Sequence, residues 1–168
     1  TEEEQRPKLY KWFEVGLENA KTTTYSKISG INNDIFANSV SIWPFATGHP
    51  FSGRSPNPRW WNILIDKLNS EGISVHHYGK DSEPPLSELD TYFKRTNMSF
   101  FQQVKAALAS NVVIGPDTGP MWVMGAYEHP AVNLNTLYLP NHVENKTCLN
   151  PVNKNATSIF IPNRNNLG

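Results

Sequence analysis

Residues 115–120, Gly-Pro-Asp-Thr-Gly-Pro, bring together the residue types from which an anion site is built. A β-branched run (Val112, Val113, Ile114) precedes them and an apolar, helix-like segment beginning at Met121 follows. A strand that feeds a tight turn and then a helix aims backbone N–H groups, and the positive end of the helix dipole, at whatever sits above the strand. In an open α/β sheet that place is the ligand crevice, and its natural guest is a phosphate or diphosphate. Gly119 leaves room for close approach to the backbone. Pro120 suits the first helical positions, where a missing N–H costs nothing. Asp117 or Thr118 can cap orphan N–H groups. A plain strand-to-helix connection, in which Asp117 and Thr118 only cap, carries the same local signals.

Other side chains fit such a site. Arg54 and Arg59 flank the long loop that precedes a helix, and two positive charges would neutralise a diphosphate. Arg59 stands at the helix start, where a cation opposes the dipole and so calls for a reason. The Thr47 hydroxyl is a further phosphate donor. Asp81 and Glu83 follow the second strand, and in dinucleotide folds an acid near a strand end binds ribose hydroxyls. Trp122, beside the turn, has a face suited to a nucleobase or a sugar, or to packing alone. Asp117 lies at a helix N-terminus, which favours the ionised form and an orienting role over that of a base. Each has a plainer reading too: solvated arginines, a loop threonine, acids that serve solubility. His76 and His77 are adjacent on a strand and point to opposite faces, so no metal is expected between them. His49, His129 and His142 show no ligand spacing.

The elements that must position these residues follow from periodicity. Leu9, Trp12, Phe13, Leu17 and Ala20 recur at helical spacing and predict an amphipathic helix over residues 7–20. Residues 21–38 read as a connection. A strand over 40–43 ends at Pro44, and residues 45–58, with Gly48, Pro50, Gly53, Pro56 and Pro58, form a loop long enough to be functional. A helix over 59–70 is expected to bury Trp60, Ile63, Leu64 and Leu68 and to end at Gly72. Residues 73–78 read as a strand and 86–93 as a short helix. Ser99 caps a helix whose inward face is read as Phe100, Phe101, Val104, Ala107 and Leu108. The strand 112–114, the turn, a helix to about Tyr127 and a strand over 131–134 follow. Residues 135–157 read mostly as loop and 158–161 as a last strand. Strands alternating with helices predict a parallel sheet with right-handed crossovers: α/β, a Rossmann-like three-layer sandwich.

Bulk properties bound the function. The chain has 168 residues, zero formal net charge and one cysteine, Cys148. That size fits one domain with a proper core. With no basic block, extended nucleic-acid binding is disfavoured. A single cysteine excludes an intrachain disulfide and fits a reducing, cytoplasmic setting. No run is apolar and long enough to span a bilayer, and no signal-peptide pattern stands at the start.

Three stretches resemble the C-terminal half of GT-B glycosyltransferases, of the heptosyltransferase-like family 9. They are Ser41-Ile42-Trp43-Pro44-Phe45-Ala46-Thr47; Asn57-Pro58-Arg59-Trp60-Trp61 with the later strand Val75-His76-His77-Tyr78-Gly79; and Phe100-Phe101-Gln102 through Val112-Val113-Ile114-Gly115-Pro116-Asp117-Thr118-Gly119-Pro120-Met121. Together they span roughly residues 39–135. The resemblance implies a nucleotide-sugar-binding domain over 39–168, preceded by a helix and connection over 1–38. It implies a donor site drawn from Thr47, Arg54, Arg59, Asp81, Glu83, Asp117, Thr118, Gly119, Pro120, Met121 and Trp122. The implied ligand is a nucleotide diphosphate sugar, and the implied acceptor a glycan or other hydroxyl. The reaction would need no metal or other cofactor. A second Rossmann-like domain, in this or a partner chain, would supply the acceptor site and the catalytic base. The family has histidine where Trp122 stands, so that residue's role does not transfer. A non-catalytic nucleotide or nucleotide-sugar binding module and an interaction domain with a dead pocket are the alternatives.

Overall fold

The computed structural model describes residues 38–46, 55–136, 153 and 155–161. The expected helix at 7–20, together with Thr47, His49, Arg54, His142 and Cys148, lies outside the described residues. In chain order the elements are β1 (Ser39–Ile42), α1 (Pro58–Ser70), β2 (Ser74–His77), β3 (Tyr92–Lys94) and α2 (Phe100–Ala107). Then come β4 (Val112–Pro116), α3 (Gly119–Ala126), β5 (Ala131–Asn135) and β6 (Ala156–Phe160).

The six strands form one sheet in the order β3-β2-β1-β4-β5-β6, with every neighbouring pair parallel. Ile42 pairs with His77 on one side and with Ile114 on the other. The order reverses at β1. The chain steps outward to β2 and β3, then returns to place β4 on β1's other side. Such a reversal opens a crevice at the carboxyl ends of the two central strands.

Both faces of the sheet are covered, so the strands are buried on both sides, polar residues such as Ser41, His77 and Asn133 included. On one face α1 sets Trp61 and Ile65 against Val40, Ile42, Val75 and Ile114. On the other, Val104 and Ala107 of α2 and Met121 and Met124 of α3 pack on Trp43, Tyr78, Val113 and Ala131. The two clusters give a three-layer α/β sandwich. Gly115 is needed where these layers meet. A Cβ there would lie 2.8 Å from the Trp43 carbonyl oxygen and 3.0 Å from the Met121 sulfur.

Helix ends follow local chemistry. Asn57 caps α1 by accepting from the Arg59 N–H at 2.9 Å. Ser99 and Gln102 form a reciprocal capping box on α2. Gly72, at φ +72°, follows the α1 C-cap in the left-handed region.

Four expectations are corrected. Residues 86–93 form no helix; irregular chain and a turn, closed by the Tyr92 N–H donating to the Leu89 carbonyl at 2.9 Å, lead into the three-residue strand β3, whose Tyr92 pairs with Val75. Phe100 and Phe101 do not face inward but are 53% and 66% exposed, and α2 instead buries Gln103 beside Val104 and Ala107. On α1, Trp60, Leu64 and Leu68 pack on the core as expected, but Ile63 is 51% exposed and the fully buried residues are Trp61 and Ile65. The last strand begins at Ala156, two residues earlier than read from the sequence. Among the described residues no helix is long and apolar enough to cross a membrane.

Candidate functional site

A cavity of about 750 Å³ opens at the carboxyl ends of β1, β2, β3 and β4. That volume lies within the range of small-molecule sites. Its position is the reversal point of the strand order, where ligands of open α/β sheets bind. Trp43, Phe45 and Ala46 line it from the end of β1. Gly79, Lys80, Asp81 and Glu83 line it from the turn after β2. Thr96, Met98, Phe100 and Gln103 come from the segment that joins β3 to α2 and from α2 itself. Asp117, Thr118, Gly119, Pro120 and Trp122 complete it from the β4–α3 turn.

The turn after β2 is pinned from three directions. Gln103 is buried on α2, and its side-chain oxygen accepts from the Gly79 N–H at 2.9 Å. Its amide nitrogen donates to the Gly79 and Met98 carbonyls at 3.0 and 2.9 Å. Glu83 folds back so that Oε1 accepts from the Lys80 N–H at 3.1 Å. Its other oxygen, Oε2, lies 3.0 Å from His77 Nε2. Gly79 has φ +152°, and a Cβ there would collide with the Glu83 carboxylate.

The His77 ring has a definable proton arrangement. Burial lowers its pKa, and the hydrogen bond and charge of Glu83 offset this only in part, so the imidazole is neutral at pH 7. Nε2–H then donates to Glu83 and Nδ1 accepts from the Tyr92 hydroxyl at 2.6 Å. Burial pushes the Tyr92 hydroxyl up to about 12, which keeps it a donor. Its oxygen in turn accepts from the Leu86 N–H at 3.0 Å. Every polar atom of this chain of bonds is used. It fixes the path from Lys80 to Leu86 along one rim of the cavity.

His76 points to the opposite face, as adjacency on a strand requires. Its ring stacks on Phe93 at 5.2 Å between centroids, and Nδ1 accepts from Arg95 Nε at 2.8 Å. Burial first, and the Arg95 charge second, lower its pKa to about 4. Among the described residues no group of three or more His, Cys, Asp or Glu side chains could hold a metal ion.

At the β4–α3 turn, Thr118 is the N-cap of α3 yet makes no side-chain capping bond. Its Oγ1 is buried and has no hydrogen-bond partner among the described residues. A buried hydroxyl without a partner is uncommon and invites a ligand or an ordered water. No acidic residue stands within the first turn of α3, while Asp117 immediately precedes its N-cap and lines the same cavity. A Cβ built on Gly119 meets nothing within 4 Å. The glycine therefore faces open space rather than a protein neighbour. Trp122 is 38% exposed and its Nε1 donates to Asp117 Oδ1 at 2.8 Å.

The residues expected at the site are distributed unevenly. Asp81, Glu83, Asp117, Thr118, Gly119, Pro120 and Trp122 all line the cavity. Asp81 Oδ1 accepts from the Thr96 hydroxyl at 3.0 Å. Met121 is 1% exposed, and its side chain packs in the core rather than lining the cavity. Arg59 is exposed at the start of α1 and is not among the lining residues. Sequence reasoning passed over Lys80, the one basic side chain among the described lining residues. It also passed over Thr96, Met98 and Gln103. The signal for those three was hidden by reading 86–93 as a helix, which moves the chain away from β2 instead of alongside it.

No family model matches the chain, and no curated protein matches it. Solved structures do. The E. coli ADP-heptose lps heptosyltransferase II is similar with a TM-score of 0.59 and 18% identity, covering 72% of this chain and 38% of that one. The E. coli heptosyltransferase WaaC with ADP is similar with a TM-score of 0.61 and 16% identity, covering 86% of this chain and 48% of that one. At these identities the likeness is one of fold: this chain has the α/β fold of part of a heptosyltransferase. It spans less than half the length of either structure.

Proposed function

We propose that this domain is the donor-binding half of a GT-B glycosyltransferase and holds a nucleotide diphosphate sugar in the cavity above β1 and β4. The observation that carries this reading is the β4–α3 turn. There a buried, unpartnered Thr118 hydroxyl, an unobstructed Gly119 and an uncapped helix N-terminus line one wall of the cavity. The amides of Thr118 and Gly119 and the Thr118 hydroxyl are the diphosphate contacts. Lys80 supplies positive charge from the facing turn. Asp81 and Glu83 stand toward β3 as ribose contacts. Asp81 is the freer of the two in this role, since both Glu83 oxygens already accept bonds.

In the transfer, an acceptor hydroxyl oxygen bonds to the anomeric carbon as the bond from that carbon to the diphosphate oxygen breaks. The electron pair leaves on the diphosphate. Negative charge develops beside the α3 N-terminus, where fixed dipoles stabilise it without reorganising. The hydroxyl proton passes to a base on a second Rossmann-like half, which also binds the acceptor glycan or other hydroxyl. The single cysteine is consistent with a cytoplasmic setting. ADP is the first nucleotide to test, since it accompanies one of the similar structures.

Titration of the 168-residue chain with nucleoside diphosphates, and of its Thr118→Ala variant, tests the proposal. Binding that Thr118→Ala weakens while the fold is kept is expected. Absence of binding to every nucleoside diphosphate would overturn it.

A further inference from the structure

We infer that Trp122, held in place by Asp117, is the wall against which the sugar of the donor lies, and thus sets which sugar is accepted. This rests on the donor-binding reading above. Trp122 is the fourth residue of α3, and helical side chains lean back toward the N-terminus. Its indole therefore leans back toward the β4–α3 turn, and the 2.8 Å bond from Nε1 to Asp117 Oδ1 fixes that direction. An indole has one donor and no acceptor. With that donor spent on Asp117, the ring is fixed in orientation and presents only its apolar faces and edge to a ligand.

The order of groups across the cavity assigns the ligand's parts. Asp81, Thr96 and Met98 lie at the β2–β3 side and form the polar and apolar surroundings of a nucleoside. The diphosphate sits at the α3 N-terminus. The group bonded to the far phosphate then continues past Thr118 and Gly119 and meets Trp122. A pyranose has a C–H face that packs on an aromatic ring, whereas a diphosphate gains nothing from an indole face whose N–H is already engaged. A 38% exposed tryptophan on a helix whose neighbouring Met121 and Met124 are buried is not explained by core packing.

The test compares nucleoside diphosphates with their sugar conjugates: ADP with ADP-glucose, UDP with UDP-glucose, GDP with GDP-mannose. Calorimetric titration of the whole chain gives both dissociation constants for the wild type, Trp122→Ala and Trp122→Phe. Trp122→Ala is expected to weaken the nucleotide sugar about tenfold, the scale of one aromatic contact, and to change the bare diphosphate less than about twofold. Trp122→Phe, which keeps a ring, should stay within about threefold of wild type for both. Should the alanine variant fail to fold, Trp122→Leu keeps the bulk without the aromatic face and is judged by the same criterion. Equal losses for the two ligands, or none for either, would overturn the inference while leaving the donor-binding reading intact. A wild-type chain that binds neither ligand class would overturn both.

Discussion

Glu83 Oε2 lies 3.0 Å from His77 Nε2, and both residues are shut off from solvent, at 4% and 0% exposure. The contact joins the end of β2 to the loop that leaves it. It holds a carboxylate at the rim of the cavity with both oxygens committed. Removing it should therefore act first on the fold and only then on binding. Glu83→Ala leaves the His77 Nε2–H and the Lys80 N–H without their acceptor, at a cost of roughly 2–3 kcal/mol. Urea denaturation of the variant should show the midpoint lowered with an unchanged slope. A midpoint equal to wild type would mean that this bond does not hold the loop.

Gly79→Ala should damage the same arrangement from the other side. The new Cβ would collide with the Glu83 carboxylate, which cannot swing away without leaving His77. The positive φ of +152° adds backbone strain. A loss of roughly 2 kcal/mol or more is expected. In the double variant with Glu83→Ala the two losses should not add, because they report one interaction. Simple additivity would contradict the coupling.

Gly119→Ala is the contrasting case. Its Cβ meets no protein atom, and Gly119 is the first residue of α3 in ordinary helical space, so the midpoint of thermal unfolding should stay within about two degrees of wild type. Affinity for a nucleoside diphosphate should fall about tenfold or more, because the methyl group occupies the path by which a phosphate reaches the turn amides. Undiminished affinity would place the diphosphate elsewhere.

How much of this was legible in the sequence differs from element to element. The strand–turn–helix from Val112 to Ala126 could be read because β-branched residues, a Gly/Pro turn and an apolar helix follow one another without interruption. β3 could not. Leu86, Leu89 and Phe93 recur at near-helical spacing, yet Pro84 and Pro85 precede them, and the Tyr92 bonds to His77 and Leu86 hold the segment out of a helix. That bonding is tertiary and overrides local periodicity. The face of α2 failed for a related reason. Apolar pattern favours burying Phe100 and Phe101, but Gln103 is buried instead, because its amide is satisfied by Gly79, 24 residues away. Among the candidate site residues, those on the Asp117–Trp122 stretch, Met121 excepted, line the cavity because turn chemistry is local. Lys80, Thr96 and Gln103 were missed because only the sheet order brings them beside that turn.

Acid should destabilise the domain well before ordinary carboxylate titration. His76 has a folded-state pKa of about 4 against 6.5 for the unfolded chain, chiefly through burial and further through Arg95. Between those values the unfolded state binds the extra proton, so its contribution to stability is intact above pH 6.5 and is lost as pH falls toward 4. His77 and His129 shift in the same direction, also mainly by burial. Denaturation midpoints at a series of pH values should decline across this window. His76→Gln, which keeps an acceptor for Arg95 but does not titrate, should decline less steeply. Equal slopes for variant and wild type would assign the acid sensitivity elsewhere.

The most direct test of the central claim is a thermal-shift comparison of each nucleoside diphosphate with its monophosphate on the 168-residue chain. A ligand at a hundred times its dissociation constant stabilises by about 2.7 kcal/mol, a shift that is easily read. A clear rise with one diphosphate, little with the matching monophosphate, and loss of the rise in Thr118→Ala are expected. A rise that is the same for mono- and diphosphate, or no rise with any nucleotide, would contradict it.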